Sequence, residues 1–288
     1  MLKTKIFIPL IAVNFLIGLW AVYELLVQGG GLGWLGAAMA TLPFPLFIFV
    51  LISNLFLIAR TPAKLHWMQL LTNAGLVLAF VGMIIEVRND SWPLGFAAYL
   101  PLCLAWFGEL TVIWYLRVYS SYGRKPSSAI TRGEPLPELT LQTLEGTAVS
   151  SAQFLGHQTL MVFFRGNWCP LCMAQLKEVV AIADRLERLG VRVKFISNQS
   201  PAKSRKLAAQ LSLPPHFEIL YDADLATAKA LEIQDIGGTP VGLLGYPADT
   251  VMATVIALDE QGRVLFGDQS DNYRVRPNPD SFMGVFEG

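Results

Sequence analysis

Phe163–Glu178 reads FFRGNWCPLCMAQLKE, with Cys169 and Cys172 two residues apart, Trp168 before the first and Pro170 after it. Just upstream, Thr159–Arg165 (TLMVFFR) is a continuous apolar run of strand length, as expected of a strand buried on both faces. Downstream, a helix is expected from Cys169 to Leu189, closed by Gly190. Cys169 therefore stands where a strand gives way to a helix N-terminus. Free N–H groups and the helix dipole there favour negative charge. In such motifs a cysteine pKa falls from about 8.5 to about 7 or below. Cys172 lies one turn on and faces the same way, placed to resolve a mixed disulfide formed on Cys169. Cys169 is accordingly expected to titrate below Cys172. Pro170 suits the first helical turn, where its missing N–H costs nothing. Trp168 would shield the pair and offer a partner an apolar surface.

The flanking sequence places this segment in an α/β domain. ELTLQTLEGTAVS (Glu138–Ser150) reads as a hairpin turning at Glu145-Gly146. Val191–Ser197 and Phe217–Asp222 read as strands. Ser200–Leu211 reads as a helix with Ser200 as N-cap and Pro201 in its first position. Asp224–Ile233 reads as a short helix, and VMATVIALD with RVLFGDQ as a closing hairpin across Glu260-Gln261-Gly262. Strands alternating with helices make an α/β layer structure. A zinc knuckle needs four ligands, and beside the two cysteines this half offers only His157 and His216, at no ligand spacing. A dithiol at a strand-to-helix junction points to redox chemistry.

The N-terminal half is of a different composition. The whole chain of 288 residues is 53% hydrophobic with zero net charge, which gives no electrostatic footprint for nucleic acid. Charges are sparse before about Leu116 and ordinary after it. Four runs, roughly Ile6–Val27, Trp34–Ala59, Trp67–Val87 and Leu94–Leu116, each reach the ~20 residues a bilayer helix needs. Pro43 and Pro45 should kink the second. We therefore expect a four-span helical membrane region over 1–117, a linker over 118–134, and the α/β domain over 135–288. Lys3, Lys5, Arg60, Lys64, Arg117, Arg124, Lys125 and Arg132 fall on one set of flanks, and only Arg88, beside Glu86 and Asp90, on the other. That asymmetry predicts a multi-pass protein of a bacterial inner membrane, with both termini and the redox domain cytoplasmic. Cys103 is the lone cysteine of the spans and His66 falls in a loop, so neither a transmembrane dithiol relay nor a bis-histidine haem is available. Glu24 and Glu86 read as interfacial. Glu109 lies deeper and is a functional candidate. Asn14, Asn54 and Asn73 read as hydrogen-bonding between helices.

NWCPLC after MVFFRG resembles the active site of the thioredoxin-like superfamily, and GGTPVG (Gly237–Gly242) resembles its cis-proline loop. The resemblance implies that Pro240 faces the dithiol and that Thr239 offers backbone hydrogen bonds to a bound substrate. The leading hairpin and EILYDADLATAKALEI are similar to the redoxin branch, the alkyl hydroperoxide reductase/thiol-specific antioxidant type, as is DNYRVRPNPDSF (Asp271–Phe282). The likeness covers Leu136–Phe282. Peroxiredoxins carry Pro and Thr or Ser seven and three positions before their peroxidatic cysteine, where this chain has Val162 and Gly166. Thioredoxins place a buried Asp six residues before the first cysteine, where this chain has Phe163. Arg165 is then the residue at hand to lower a thiolate pKa.

The resulting expectation is a membrane-anchored thiol–disulfide oxidoreductase. Cys169 attacks, Cys172 resolves, and Trp168, Pro170, Thr239 and Pro240 form the substrate surface. The implied partners are a disulfide protein or small thiol, an external reductant and the lipid bilayer. No metal, haem, flavin or nucleotide is implied. The alternatives are a peroxiredoxin-like thiol peroxidase and a redox-sensing membrane module.

Overall fold

A computed structural model describes residues 2–53, 56–89, 96–241 and 243–287, so Asn54, Asp90, Leu94 and Gly242 lie outside the described residues. The chain divides into two compact units, one of Leu2–Leu55 with Ala63–Ser120, the other of Phe56–Pro62 with Ser121–Gly288.

The first unit is helical: α1 (Leu2–Leu26), α2 (Leu32–Thr41), α3 (Pro43–Ser53), α4 (His66–Asn89) and α5 (Phe96–Trp114), the last running into a π-helical turn at Tyr115–Tyr119. Among the described residues, Lys3–Leu26, Leu32–Ser53, His66–Arg88 and Ala98–Tyr119 are long and apolar enough to cross a membrane. The expected kink is the break between α2 and α3 at Leu42, immediately before Pro43. His66 opens α4 instead of lying in a loop. Helices α2 and α4 approach through glycines. A Cβ on Gly36 would stand 2.3 Å from the Ala79 nitrogen, and one on Gly82 would stand 2.2 Å from that of Gly33. Small residues at such a seam let backbones meet where apolar surroundings give no hydrophobic drive for association. Asn14 does bond between helices, donating to Thr111 Oγ1 on α5 at 3.2 Å. Asn73 instead bonds within its own helix, to the Gln69 carbonyl. Glu109 is buried.

The second unit is the α/β domain. Its strands are β1 (Thr140–Gln142), β2 (Ala148–Ser150), β3 (Thr159–Phe163), β4 (Arg192–Ser197), β5 (Phe217–Tyr221), β6 (Gln234–Asp235), β7 (Thr250–Val251), β8 (Thr254–Leu258) and β9 (Val264–Asp268). Its helices are α6 (Pro170–Ala181), α7 (Ala183–Arg188), α8 (Pro201–Leu211), α9 (Ala226–Ala230) and α10 (Pro279–Met283). Seven strands form one sheet in the order β2-β1-β5-β4-β3-β8-β9, and β6 pairs with β7 apart from it. β3, β4 and β5 are parallel, while β8 runs antiparallel to β3 with Phe163 opposite Thr254. This is a mixed sheet with three parallel strands at its centre. Every residue of β3 is buried, as its unbroken apolar run requires. Burying one such large apolar side chain contributes about 1.5–3 kcal/mol. The expected single helix after the cysteines is two, α6 and α7, meeting at Ile182.

The domain boundaries need correction. Residues 121–134 are not a free linker. Tyr122 accepts a hydrogen bond from the Ala253 amide, and Arg124 bonds Thr254 Oγ1, the Gln269 carbonyl and the Asp268 carbonyl. Ile130 is part of the core cluster. An arginine that satisfies three acceptors and an isoleucine in the core fix a segment that composition alone makes look loose. Of the second apolar run, residues 56–59 belong, with 60–62, to the unit that contains the sheet.

Candidate active site

β3 ends at Phe163, and a short loop leads to Cys169, the N-cap of α6, with Pro170 in the first turn. The loop is tied down on both sides. The Phe164 amide bonds the Ile196 carbonyl at 2.9 Å, the Asn167 amide bonds Gln199 Oε1 at 2.8 Å, and Cys169 N–H bonds the Gly166 carbonyl at 3.1 Å. Gly166 has φ +145°, and a Cβ there would meet the Trp168 indole nitrogen at 2.6 Å. No side chain fits at this position, so the missing hydroxyl three residues before Cys169 is excluded by the backbone as well as by the sequence. Gly166→Thr should cost on the order of 1–3 kcal/mol of stability from left-handed backbone strain and the indole clash. Chemical denaturation will show this, and an unchanged midpoint would contradict it.

Both cysteines are free thiols and buried, Cys169 at 3% exposure and Cys172 at 0%. Arg276 lies beside them, fully enclosed. Its Nη2 donates toward Cys169 Sγ at 3.8 Å, its Nη1 to Gln175 Oε1 at 2.9 Å and its Nε to the Tyr273 carbonyl at 3.2 Å. Burial opposes the charge of Arg276, but the two sulfurs beside it hold it firmly protonated. Arg165 is also buried. It donates to the Gly238 carbonyl at 2.5 Å and pairs with Asp235 at 3.3 Å, and its guanidinium stacks 5.0 Å over the Trp168 ring. Its field reaches both sulfurs. Tyr122 and Tyr273 close the cluster around Arg165, and burial pushes the Tyr122 phenol up to about 12.

The electrostatics reverse the expected order of the thiols. Burial, and a hydrogen bond shared with Cys172, push Cys169 well above its ordinary value of 9.0. Burial opposes ionisation of Cys172 too. Its hydrogen bond with Cys169, the Arg276 guanidinium and the Arg165 backbone outweigh that and bring it down to about 5. The helix start alone therefore does not decide which sulfur carries the charge. The dithiol holds one thiolate and one proton between two sulfurs, and the first step belongs to the pair. A folded-state pKa lowered in this way adds stability that is present above the ordinary thiol value and is lost as pH falls through about 5. Thiolate absorbance of the reduced protein should rise in one step well below pH 7 to half the full two-thiol amplitude. A single full-amplitude step near the ordinary thiol value would rule this out.

Thr239 and Pro240 sit in the segment between β6 and β7. That segment is fastened to the site through Gly238, which accepts from Arg165, and through Tyr246, whose hydroxyl bonds Asn167 Oδ1 at 2.5 Å. Thr239 is buried and its amide bonds the Ala248 carbonyl at 3.1 Å, so that N–H is not free for a substrate. The residues leading into β8, opposite the end of β3, are Met252 and Ala253, not Pro240. The strand that follows Pro240 is β7, paired with β6, and not β8. Sequence reading missed Arg276, Asp235, Tyr122 and Gln175. The one available signal was the pair of arginines in DNYRVRPNPDSF.

The family model for Redoxin matches residues 131–281, slightly more than half of the chain. The chain belongs to the redoxin family. This redoxin is 26% identical to chloroplastic peroxiredoxin Q of Oryza sativa subsp. japonica over 121 residues, 42% of this chain and 55% of the relative. The chain thus spans about half the length of the curated relatives it matches. Among solved structures it is similar to the peroxidoxin BcpB of Mycobacterium tuberculosis, with 18% identity, 55% of this chain and 97% of that chain covered, and a TM-score of 0.45. It is also similar to reduced Prx3 of Vibrio vulnificus, with 20% identity, 55% and 99% covered, and a TM-score of 0.47. In this redoxin the matched segment includes the dithiol and both arginines around it.

Proposed function

We propose that this redoxin is a membrane-held thiol peroxidase of the peroxiredoxin type, with the dithiol as its redox centre. The observation that carries this reading is the Arg276 guanidinium 3.8 Å from Cys169 Sγ, in a pocket where both sulfurs are buried and a single negative charge is stabilised. Cys169 is the attacking sulfur because it caps the helix and is the less enclosed of the two. Its proton passes to Cys172 along their shared hydrogen bond, which leaves a Cys169 thiolate beside Arg276. That thiolate attacks the distal oxygen of a hydroperoxide. The S–O bond forms, the O–O bond breaks, and the alkoxide or hydroxide takes a proton from solvent and leaves as alcohol or water. Cys172 then displaces hydroxide from the sulfenic acid as water and closes the disulfide. An external dithiol returns two electrons by exchange.

Thiol–disulfide exchange with a protein substrate is the second reading, and one observation favours it. No side chain fits at Gly166 to orient a peroxide, whereas a dithiol one helical turn apart is suited to exchange. Peroxide consumption and insulin reduction, measured side by side with the same electron donor, separate the two. The peroxidase reading expects fast peroxide turnover and slow insulin reduction, and the opposite pattern refutes it.

Several features support the membrane placement: four helices of bilayer length, the outward aliphatic surface of residues such as Leu16, Ile52 and Leu70, and the lopsided Lys and Arg flanks. Residues 56–62 and 121–287 form one unit, so the chain between them leaves that unit and returns to it, as a pair of spans would. The redox domain is then cytoplasmic, where a resting dithiol stays reduced. Alkaline phosphatase fused after Gly288 should be inactive and a fluorescent protein bright. An active phosphatase would mean an odd number of spans.

A further inference from the structure

The segment that bears Arg276 does not hold itself in place. Arg274, two residues before it, is the largest fully buried side chain among the described residues, with 0% exposure. Its Nη1 donates to Thr61 Oγ1 at 2.8 Å and to the Pro62 carbonyl at 2.8 Å, and the Thr61 amide donates to the Arg274 carbonyl at 3.0 Å. The neighbouring Arg60 pairs with Glu178 on α6, the helix that begins at the dithiol, and reaches the Pro277 carbonyl at 3.4 Å. Residues 60–62 come from the connection between two of the apolar helices, more than 200 positions before Arg274, the separation being 213 for Thr61. They grip the arginine segment at Arg274 and Pro277, on either side of Arg276, and they grip the cysteine helix at Glu178.

We propose that Arg60, Thr61 and Pro62 form a clamp that positions Arg276 against the dithiol, with Thr61 and Arg274 as its positioning residues. The inference rests on the reading of the dithiol and Arg276 as the redox centre, but not on which substrate is reduced. A guanidinium acts on a thiolate only over a short distance in a buried site, and a small displacement there weakens both the hydrogen bond and the field. Arg276 is bonded to Tyr273 and Gln175, and its register depends on where the chain from Tyr273 to Pro277 is pinned. Buried Arg274 is that pin, and its charge is matched by acceptors from the distant loop. The redox domain is therefore incomplete without a piece of chain that in sequence connects two of the apolar helices. Any movement of that connection would be felt at the sulfurs.

The test uses the full-length reduced protein in detergent. The pH profile of cysteine alkylation and of thiolate absorbance is compared for the parent, Thr61→Val, Thr61→Ser and Arg274→Met. Arg205→Ala, which removes an arginine–carbonyl bond at the far edge of the sheet, is the control. Thr61→Val should lower alkylation at the foot of the profile by about threefold and Arg274→Met by about tenfold, one tenfold step being one unit of pKa. Thr61→Ser, which keeps the hydroxyl, should restore the parent profile, and Arg205→Ala should not move it. Peroxide and disulfide turnover do not enter this readout, so failure of the peroxidase reading leaves it intact. Should Arg274→Met fail to fold, Thr61→Val with its serine rescue decides alone. A folded Thr61→Val variant with the parent profile would overturn the clamp, as would a shift of equal size in Arg205→Ala.

Discussion

Arg276→Met should move the first thiolate step of the reduced protein upward by about two units or more. Removing one partner of a buried charge pair leaves the other uncompensated, at a cost of about 3–5 kcal/mol, and one pKa unit corresponds to ~1.4 kcal/mol. Part of that cost is recovered by Arg165, whose field also reaches both sulfurs. The parent step lies at about 5. Near that pH the reactive fraction, and with it the rate of alkylation or peroxide consumption, should fall on the order of fiftyfold for a shift of that size. At alkaline pH parent and variant should converge, because both are ionised there. Arg276→Lys should lie between them: it keeps the charge but loses the fork that serves Gln175 and Cys169 together. A variant whose pH profile overlays the parent would show that Arg276 is a structural arginine near the sulfurs and nothing more.

The two single-cysteine variants should differ in kind. Cys169→Ser should reduce peroxide consumption to the background of free thiols, a loss of about a thousandfold or more when a nucleophile is removed. Cys172→Ser should consume a single equivalent of peroxide per protein and then stop. The sulfenic acid on Cys169 has no internal thiol to condense with, and it should be captured by a sulfenate-specific reagent. With a disulfide substrate instead of peroxide, the same variant should accumulate mixed disulfides on non-reducing gels. The site electrostatics make this a demanding test, because burial and the shared hydrogen bond push Cys169 up while that bond and Arg276 bring Cys172 down. If Cys169→Ser gives the one-equivalent burst and Cys172→Ser is inert, the thiolate of the resting state is itself the nucleophile and the roles exchange.

The local parts of this molecule were readable from sequence because local sequence is enough to produce them. An unbroken apolar run followed by CPLC gives a buried strand, an N-cap cysteine and a proline in the first turn, and the structure has all three. The hairpin around Gly146 follows from its turn residues, and the apolar helices from their length and lack of charge. Composition misled where a polar segment owes its order to distant partners. Residues 121–134 looked like a linker because Ser, Gly, Arg and Lys are common in linkers, and only the fold brings Thr254, Gln269 and Ala253 to meet them. Pro240 looked like a substrate-loop residue by motif, and only the fold shows that the strand after it is β7, paired with β6, and not β8, which lies against β3. The thiol order was likewise a matter of tertiary structure. A helix N-terminus acts on its own cysteine, but burial and the hydrogen bond between the two sulfurs push Cys169 up, while that same hydrogen bond and a guanidinium 107 residues further along the chain bring Cys172 down. An arginine in a sequence carries no mark of whether it will be solvated or enclosed. Arg165, Arg274 and Arg276 acquire their roles because the chain closes around them and supplies acceptors, which is decided by contacts between residues far apart in sequence.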